Sequence, residues 1–210
     1  MRRNIILLSA LILSAVASDT FAQAPTKWKM QLGYNISAPL GSFKNDFISN
    51  TSFSGAMGEI SYTINPKFSV GLNAGFQDYY QKYGRQVYHT QPTESISAVV
   101  SNSMQIMPVL VKGTFSPMGE QASTIKPYVS LGAGVNLVNY KQYLGEFGSS
   151  DASGSFAAQA GAGIRVPFSK VNTGTAFTLG VTYNYGAYNK NDISNLNSVG
   201  VNAGVVFALK

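Results

Sequence analysis

Apolar residues recur at every second position in eight separate stretches of this chain, and that period limits the fold more than any other feature. The first stretch carries Trp28, Met30, Leu32, Tyr34 and Ile36, and the second Ala56, Gly58, Ile60, Tyr62 and Ile64. The third has Phe68, Val70, Leu72, Ala74 and Phe76, and the fourth Met107, Val109, Val111, Gly113 and Phe115. Val129 to Leu137, Ala158 to Phe168 and Phe177 to Tyr185 repeat the pattern, and the chain closes on VGVNAGVVFALK, with Val199, Val201, Ala203, Val205, Phe207 and Leu209 on one face. A period of two is that of an extended strand, whose side chains point alternately to either side of a sheet. Each stretch has about the length of a tilted strand crossing a bilayer.

The opposite faces are small and polar. They carry Gln31, Gly33 and Asn35, then Glu59, Ser61 and Thr63, then Ser69, Gly71, Asn73 and Gly75. Later stretches contribute Ser130, Gly132, Gly134 and Asn136, then Gln159, Gly161, Gly163 and Arg165, then Thr178, Gly180, Thr182 and Asn184. Such side chains suit the narrow interior of an eight-stranded barrel. The apolar face must then point outward, where water would drive aggregation and lipid would welcome it, with closure satisfying every backbone group. A secreted, ligand-enclosing barrel would need bulky apolar residues on the inner face, and these are missing. The expected fold is therefore all-β, an eight-stranded antiparallel up-and-down transmembrane β-barrel.

Connection lengths alternate. Those after the first, third, fifth and seventh stretches are long, roughly 39–54, 80–102, 139–155 and 187–197, whereas Asn65-Pro66-Lys67 and Ser169–Thr175 are short. The segment Ser116–Lys126 is longer than the alternation predicts. Short periplasmic turns and long outer loops characterise outer-membrane barrels, and an even strand number leaves both termini in the periplasm. Outward aromatics form two expected belts. Trp28, Tyr62, Phe68, Phe115, Phe168, Phe177 and Phe207 lie near the periplasmic end, and Tyr34, Phe76, Tyr183 and Tyr185 near the other.

The N-terminus reads as a secretory leader. Arg2-Arg3 precedes an apolar run from Ile5 to Val16, too short to span comfortably as a helix, and ASDTFAQAP supplies small residues for cleavage. Ala17, Ala22 and Ala24 are candidate sites. Ala22 is favoured because a cut after Ala24 would put Pro25 beside the scissile bond. The chain thus divides into a leader, 1–22, and a barrel domain, 23–210. Removing the leader takes away two arginines and one aspartate, lowering the net charge from +6 to +5. Only 11% of residues are charged, and the basic ones are scattered, which argues against nucleic acid as a partner. The absence of cysteine excludes disulfides, thiolate metal sites and a lipid-bearing cysteine.

Asn202, Gly204, Phe207 and Leu209 resemble the C-terminal signal of outer-membrane barrels, which the outer-membrane assembly machinery reads; Lys210 departs from it, since many such chains end on the aromatic. YNISAPLGSFKNDF, QIMPVLVKGTF and KPYVSLGAGV extend the likeness. Over about 23–210 the chain resembles the small outer-membrane β-barrel family common in Bacteroidota. The resemblance implies a barrel in the outer membrane and says little of function, since one fold hosts many roles.

Three inward charges stand out: Glu59, Lys112 and Arg165, each four or five residues before its periplasmic turn and so expected at one depth. A buried charge needs a partner, so the trio reads as a structural plug or, more sharply, as a gate in a narrow channel. His89, the only histidine, lies in an outer loop with Ser95 and Asp78 not far in sequence; no spacing there is diagnostic of catalysis. GAGVN and GAGIR are small inward strand patterns, not phosphate loops, and no cluster has metal-ligand spacing. In the outer loops Lys82, Arg85, Lys141 and Lys190 could meet lipopolysaccharide phosphates or simply keep the surface soluble. The sequence thus predicts a monomer without cofactor or enzymatic activity, surrounded by outer-membrane lipid. Its role is structural or a surface interaction through four outer loops; the alternatives are a narrow channel or a non-catalytic part of a secretion or envelope assembly.

Overall fold

The computed structural model describes residues 27–84, 86–91, 94–119, 125–144, 147–168, 174–190 and 193–209. The leader expected over 1–22 and its cleavage site lie outside the described residues. Eight long strands close into one antiparallel barrel: β1 (Trp28–Leu40), β2 (Ser54–Asn65), β3 (Phe68–Lys82), β6 (Val100–Phe115), β7 (Lys126–Leu144), β8 (Phe147–Pro167), β9 (Ala176–Ala187) and β12 (Asn197–Ala208). Each pairs with its neighbours in sequence along the barrel, and β12 returns to β1 with Lys29 opposite Ala208 and Leu40 opposite Asn197. Both ends of the barrel sequence therefore emerge at one rim, called here the terminal rim. Two small hairpins stand at the opposite, distal rim: β4 (Gln86–Gln91) with β5 (Glu94–Ala98), and β10 (Asn189–Lys190) with β11 (Ile193–Ser194).

The alternation sets which way each side chain points. Leu32, Ile60, Leu72, Val111, Leu131 and Val181 all lie exposed on the outer wall. Gln31, Glu59, Asn73, Lys112, Ser130, Thr178 and Asn202 are buried within. This is a barrel turned inside out relative to a soluble protein, and a bilayer stabilises it because lipid solvates the apolar wall while closure leaves the sheet without a free edge. Near the terminal rim Trp28 packs edge-on against Tyr62 at 5.1 Å, and the Phe68 ring lies tilted against Phe115 at 4.7 Å. Tyr34 and Phe76 flank Ala56 in one outward row nearer the distal rim.

The turns at the terminal rim are compact. Asn65 Oδ1 accepts from the backbone amides of Lys67 and Phe68, each at 2.9 Å, holding the β2–β3 reversal. Gly119, at φ 59°, packs against Pro66 in the turn after β6, a left-handed position that suits glycine.

The distal side differs from the sequence expectation. The segment 139–155 is not a loop. β7 and β8, at 19 and 21 residues, continue as one ribbon to Leu144 and Phe147. β3 likewise runs to Lys82, and much of 80–102 is strand. Beyond the lipid a strand no longer needs an apolar outer face, so the alternation that marks it disappears while the pairing persists. The segment after β1 also has structure: a π-helical turn at Phe43–Phe47 enters the barrel mouth.

Candidate functional site

The lumen is filled in layers. At the distal mouth Phe43, Phe47 and Ile48 are buried against Tyr79, Met104, Ile106, Val138, Tyr140, Tyr188 and Leu196. The Phe43 ring meets Tyr79 nearly perpendicular, and Phe47 lies 5.1 Å from Tyr140. The cap is stapled to β1 and β3. Ser37 and Ser52 exchange backbone hydrogen bonds of 2.9 and 2.8 Å. Gln81 Oε1 accepts from the Ser49 amide at 2.5 Å, and Tyr83 donates its hydroxyl to the Phe47 carbonyl at 2.7 Å. Ser52 Oγ also donates to the Asp78 carbonyl. By sequence these residues belong to a polar outer loop. The signal that could have revealed the cap is the i, i+4 spacing of Phe43 and Phe47, with Ile48 following, within an otherwise polar run; one helical turn puts the two rings on a single face, and Ile48 follows in extended backbone.

Beneath the cap lies a polar layer around a cavity of about 60 Å³. Asn35 Nδ2 donates to Gln77 Oε1 at 2.9 Å, Gln77 Nε2 to Ser52 Oγ at 2.7 Å, and Gln159 Nε2 to Asn184 Oδ1 at 2.8 Å. Such a space holds a few waters among polar partners.

Deeper still, Lys112 forms an ion pair with Glu59, both nearly excluded from solvent. They come from β6 and β2, with β3 between them. Gly71 and Gly132 flank Lys112 in its row, so no side chain blocks its path. Arg165 does not join this pair. It stacks on Tyr128 at 4.8 Å and lines a separate cavity near the terminal rim. Counting residues back from each turn misjudged its depth, because strands in a closed barrel are tilted and staggered and the turns differ in length. No motif in the sequence singles out Tyr128, although it shares the inward parity of Ser130. Its hydroxyl occupies the space that side chains at Gly163 and Gly180 would fill, 2.7 and 2.6 Å from the respective Cβ positions.

The C-terminal residues sit as follows. Asn202 is buried inside, Gly204 faces Gly33, Phe207 faces Met30, and Leu209 donates its amide to the Trp28 carbonyl at 2.9 Å just past β12. Among the surface cations, Lys82 is exposed at the end of β3 and Lys141 lies on β7. The rows Lys82–Ser101–Tyr143 and Tyr80–Ser103–Lys141 place both lysines and both tyrosines on one outward patch across β6. Strand spacing puts the lysines roughly 12 Å apart. Lys190 lies in β10, and Arg85 lies outside the described residues. The β4–β5 register sets His89 opposite Ser95. Among the described residues no group of side chains has the makings of a metal site.

A family profile described as "Outer membrane protein beta-barrel domain" matches residues 5–207. No curated protein sequence matches the chain significantly. Among solved structures, Neisserial surface protein A aligns over 89% of this chain and 100% of its own, at 15% identity and a TM-score of 0.55. Ail, the attachment invasion locus protein of Yersinia pestis, covers 88% and 100% at 14% identity and a TM-score of 0.48. The N-terminal barrel of Pseudomonas aeruginosa OprF covers 85% and 96% at 14% identity and a TM-score of 0.47. At 15% identity the likeness to Neisserial surface protein A is one of fold.

Proposed function

The chain belongs to the outer-membrane β-barrel domain family, and from that premise we propose that it is a non-catalytic outer-membrane protein whose role is structural or is exercised at its distal rim. The observation that carries this reading is the filled lumen. An aromatic cap closes the distal mouth, and the Glu59–Lys112 pair spans the interior below it. A bore so occupied favours a rigid scaffold over a conduit, and a rigid barrel that displays strand extensions is a natural binding platform. A channel would require the cap to leave its place.

In this reading the terminal rim faces the periplasm and the distal rim the outside, since the compact turns lie at the former and the extended ribbons at the latter. The protein is a monomer in lipid. The outward patch of Lys82, Lys141, Tyr80 and Tyr143 suits lipopolysaccharide, with the ammonium groups meeting phosphate and the tyrosines at the polar boundary. The C-terminal strand carries the signal for the assembly machinery.

Because the chain lacks cysteine, single cysteines introduced at Asn50 and at Lys67 test the orientation. A membrane-impermeant maleimide on intact cells should label the first and spare the second. Equal labelling would reject the orientation. Purified wild-type protein in planar bilayers should show no discrete conductance steps, and sustained openings would replace the scaffold reading with a channel. Lys82→Gln with Lys141→Gln should weaken lipopolysaccharide capture several-fold; unchanged capture would remove that partner.

A further inference from the structure

The outer wall is not evenly covered. Near β2 and β3, three outward rows follow one another from the terminal rim toward the bilayer centre: Trp28 beside Tyr62, then Ile60 beside Leu72, then Gly58 beside Ala74. The first two rows carry large side chains and the third almost none. The result is an open, apolar groove of about 620 Å³ on the lipid-facing wall, within the range of about 300–1,000 Å³ that holds a small ligand. From Tyr62 to Gly58 the strand runs roughly 14 Å, against a hydrocarbon half-thickness of about 15 Å. The groove therefore lies within one leaflet.

Its mouth carries a cation. Lys27 precedes β1, and its ammonium lies over the Tyr62 ring, 5.9 Å from the centroid. The side chain thus turns to the lipid side of the wall and not into the lumen. Gln23, Ala24, Pro25 and Thr26, just before it, bring no acid. Trp28 and Tyr62 set this end of the groove at the membrane–water boundary, where both ring types settle. A lysine at that level attracts anionic headgroups, and the ring beneath it fixes where the charge is held. A second copy of the barrel fits the groove less well. A twofold pair centred on this face would set hollow against hollow, and the lining of an unfilled space forfeits its contacts.

We propose that this groove is a site for one anionic phospholipid, with an acyl chain over Gly58 and Ala74 and the headgroup phosphate on Lys27. A net-anionic headgroup is preferred because a zwitterionic one brings its own cation to compete with the lysine. In the orientation proposed above, this lipid belongs to the inner leaflet. Labelling at Asn50 and Lys67 tests that placement separately, since binding to the groove does not depend on it.

The test uses the full mature barrel refolded in a maltoside detergent. Native mass spectrometry counts the lipids it keeps when palmitoyl-oleoyl phosphatidylglycerol, or phosphatidylcholine with the same chains, is added. One phosphatidylglycerol per barrel is expected at saturation, held in preference to phosphatidylcholine. Lys27→Gln should lower that preference about fivefold, the equivalent of one lysine at a membrane surface. Gly58→Leu should fill the hollow and abolish retention of either lipid. A Cβ at Gly58 would meet Leu32 Cδ2 at 3.6 Å, an ordinary contact, so the substitution suits the fold. Heat-modifiable gel mobility verifies folding, and if Gly58→Leu fails it, Ala74→Leu takes its place with the same expected direction. Val181→Leu, on the wall of β9, should behave as wild type. Absence of a retained phosphatidylglycerol, an undiminished preference in Lys27→Gln or undiminished retention in the filled variant overturns the proposal. A dimer that Gly58→Leu separates overturns it too, and gives the groove to a second copy of the chain.

Discussion

Phe43 stands edge-on to Tyr79 with ring centroids 5.0 Å apart, while the Tyr79 hydroxyl donates to Ser37 Oγ at 2.7 Å. One residue thus presents its ring to the apolar cap and its hydroxyl to the polar wall of β1. Phe43→Ala removes a fully buried ring and should destabilise the barrel by about 3–5 kcal/mol, measured by urea unfolding in lipid. Tyr79→Phe keeps the ring contact and should cost only about 1 kcal/mol. If Phe43→Ala unfolds at the wild-type midpoint, the cap is not packed as described.

The Glu59–Lys112 pair gives a sharper test. Glu59→Gln leaves a buried ammonium without its carboxylate, and breaking a buried pair from one side costs about 3–5 kcal/mol. Lys112→Met added to Glu59→Gln should recover part of the loss, because the orphaned charge is gone. A double-mutant cycle in urea reads that coupling. Strict additivity would mean that the two side chains do not interact.

Tyr128 and Gly180 should also be coupled. A methyl at Gly180 would come 2.6 Å from the Tyr128 hydroxyl oxygen, and overpacking of this kind costs about 1–3 kcal/mol. Tyr128→Phe removes that oxygen, so it should restore part of the stability of Gly180→Ala. A Gly180→Ala barrel as stable as wild type, or one that Tyr128→Phe does not help, would contradict the packing of Tyr128 across β8.

Phe207 faces Met30 where the last strand meets the first. Phe207→Ala should slow insertion by the assembly machinery while leaving export intact. Pulse-chase of the heat-modifiable form in cells measures the rate. Insertion at wild-type rate and yield would separate Phe207 from any assembly signal.

The barrel was legible in the sequence because lipid imposes a strict rule on its wall: at Leu32, Leu72 or Val181 an inward turn would put a large apolar side chain in a polar lumen. The same rule fails outside lipid. Asn139–Leu144 and Phe147–Ser155 pair as strands without alternating, since water tolerates either face, and so they read as loop. Inside the barrel, residue type was readable and depth was not. Glu59 and Lys112 meet because small residues clear the way between their strands, whereas Arg165 lies lower, against an aromatic whose inward parity was the only hint. The cap was hidden for another reason: Phe43, Phe47 and Ile48 acquire a burial partner only when β3, β6 and β7 surround them, and no local pattern announces a loop that folds inward.

The staples of that cap have a consequence for the order of assembly. Ser37 with Ser52, Ser49 with Gln81 and Phe47 with Tyr83 are all bonds between the segment after β1 and residues no later than the one that follows β3. Contacts near in sequence close before distant ones, because a shorter loop loses less entropy. These tethers can therefore form on an open sheet of the first three strands, before β12 reaches β1, while the burial of Phe43, Phe47 and Ile48 waits for β6 and β7. The later strands then close over a segment already tethered at the mouth, so the plug and the wall that buries it are completed together.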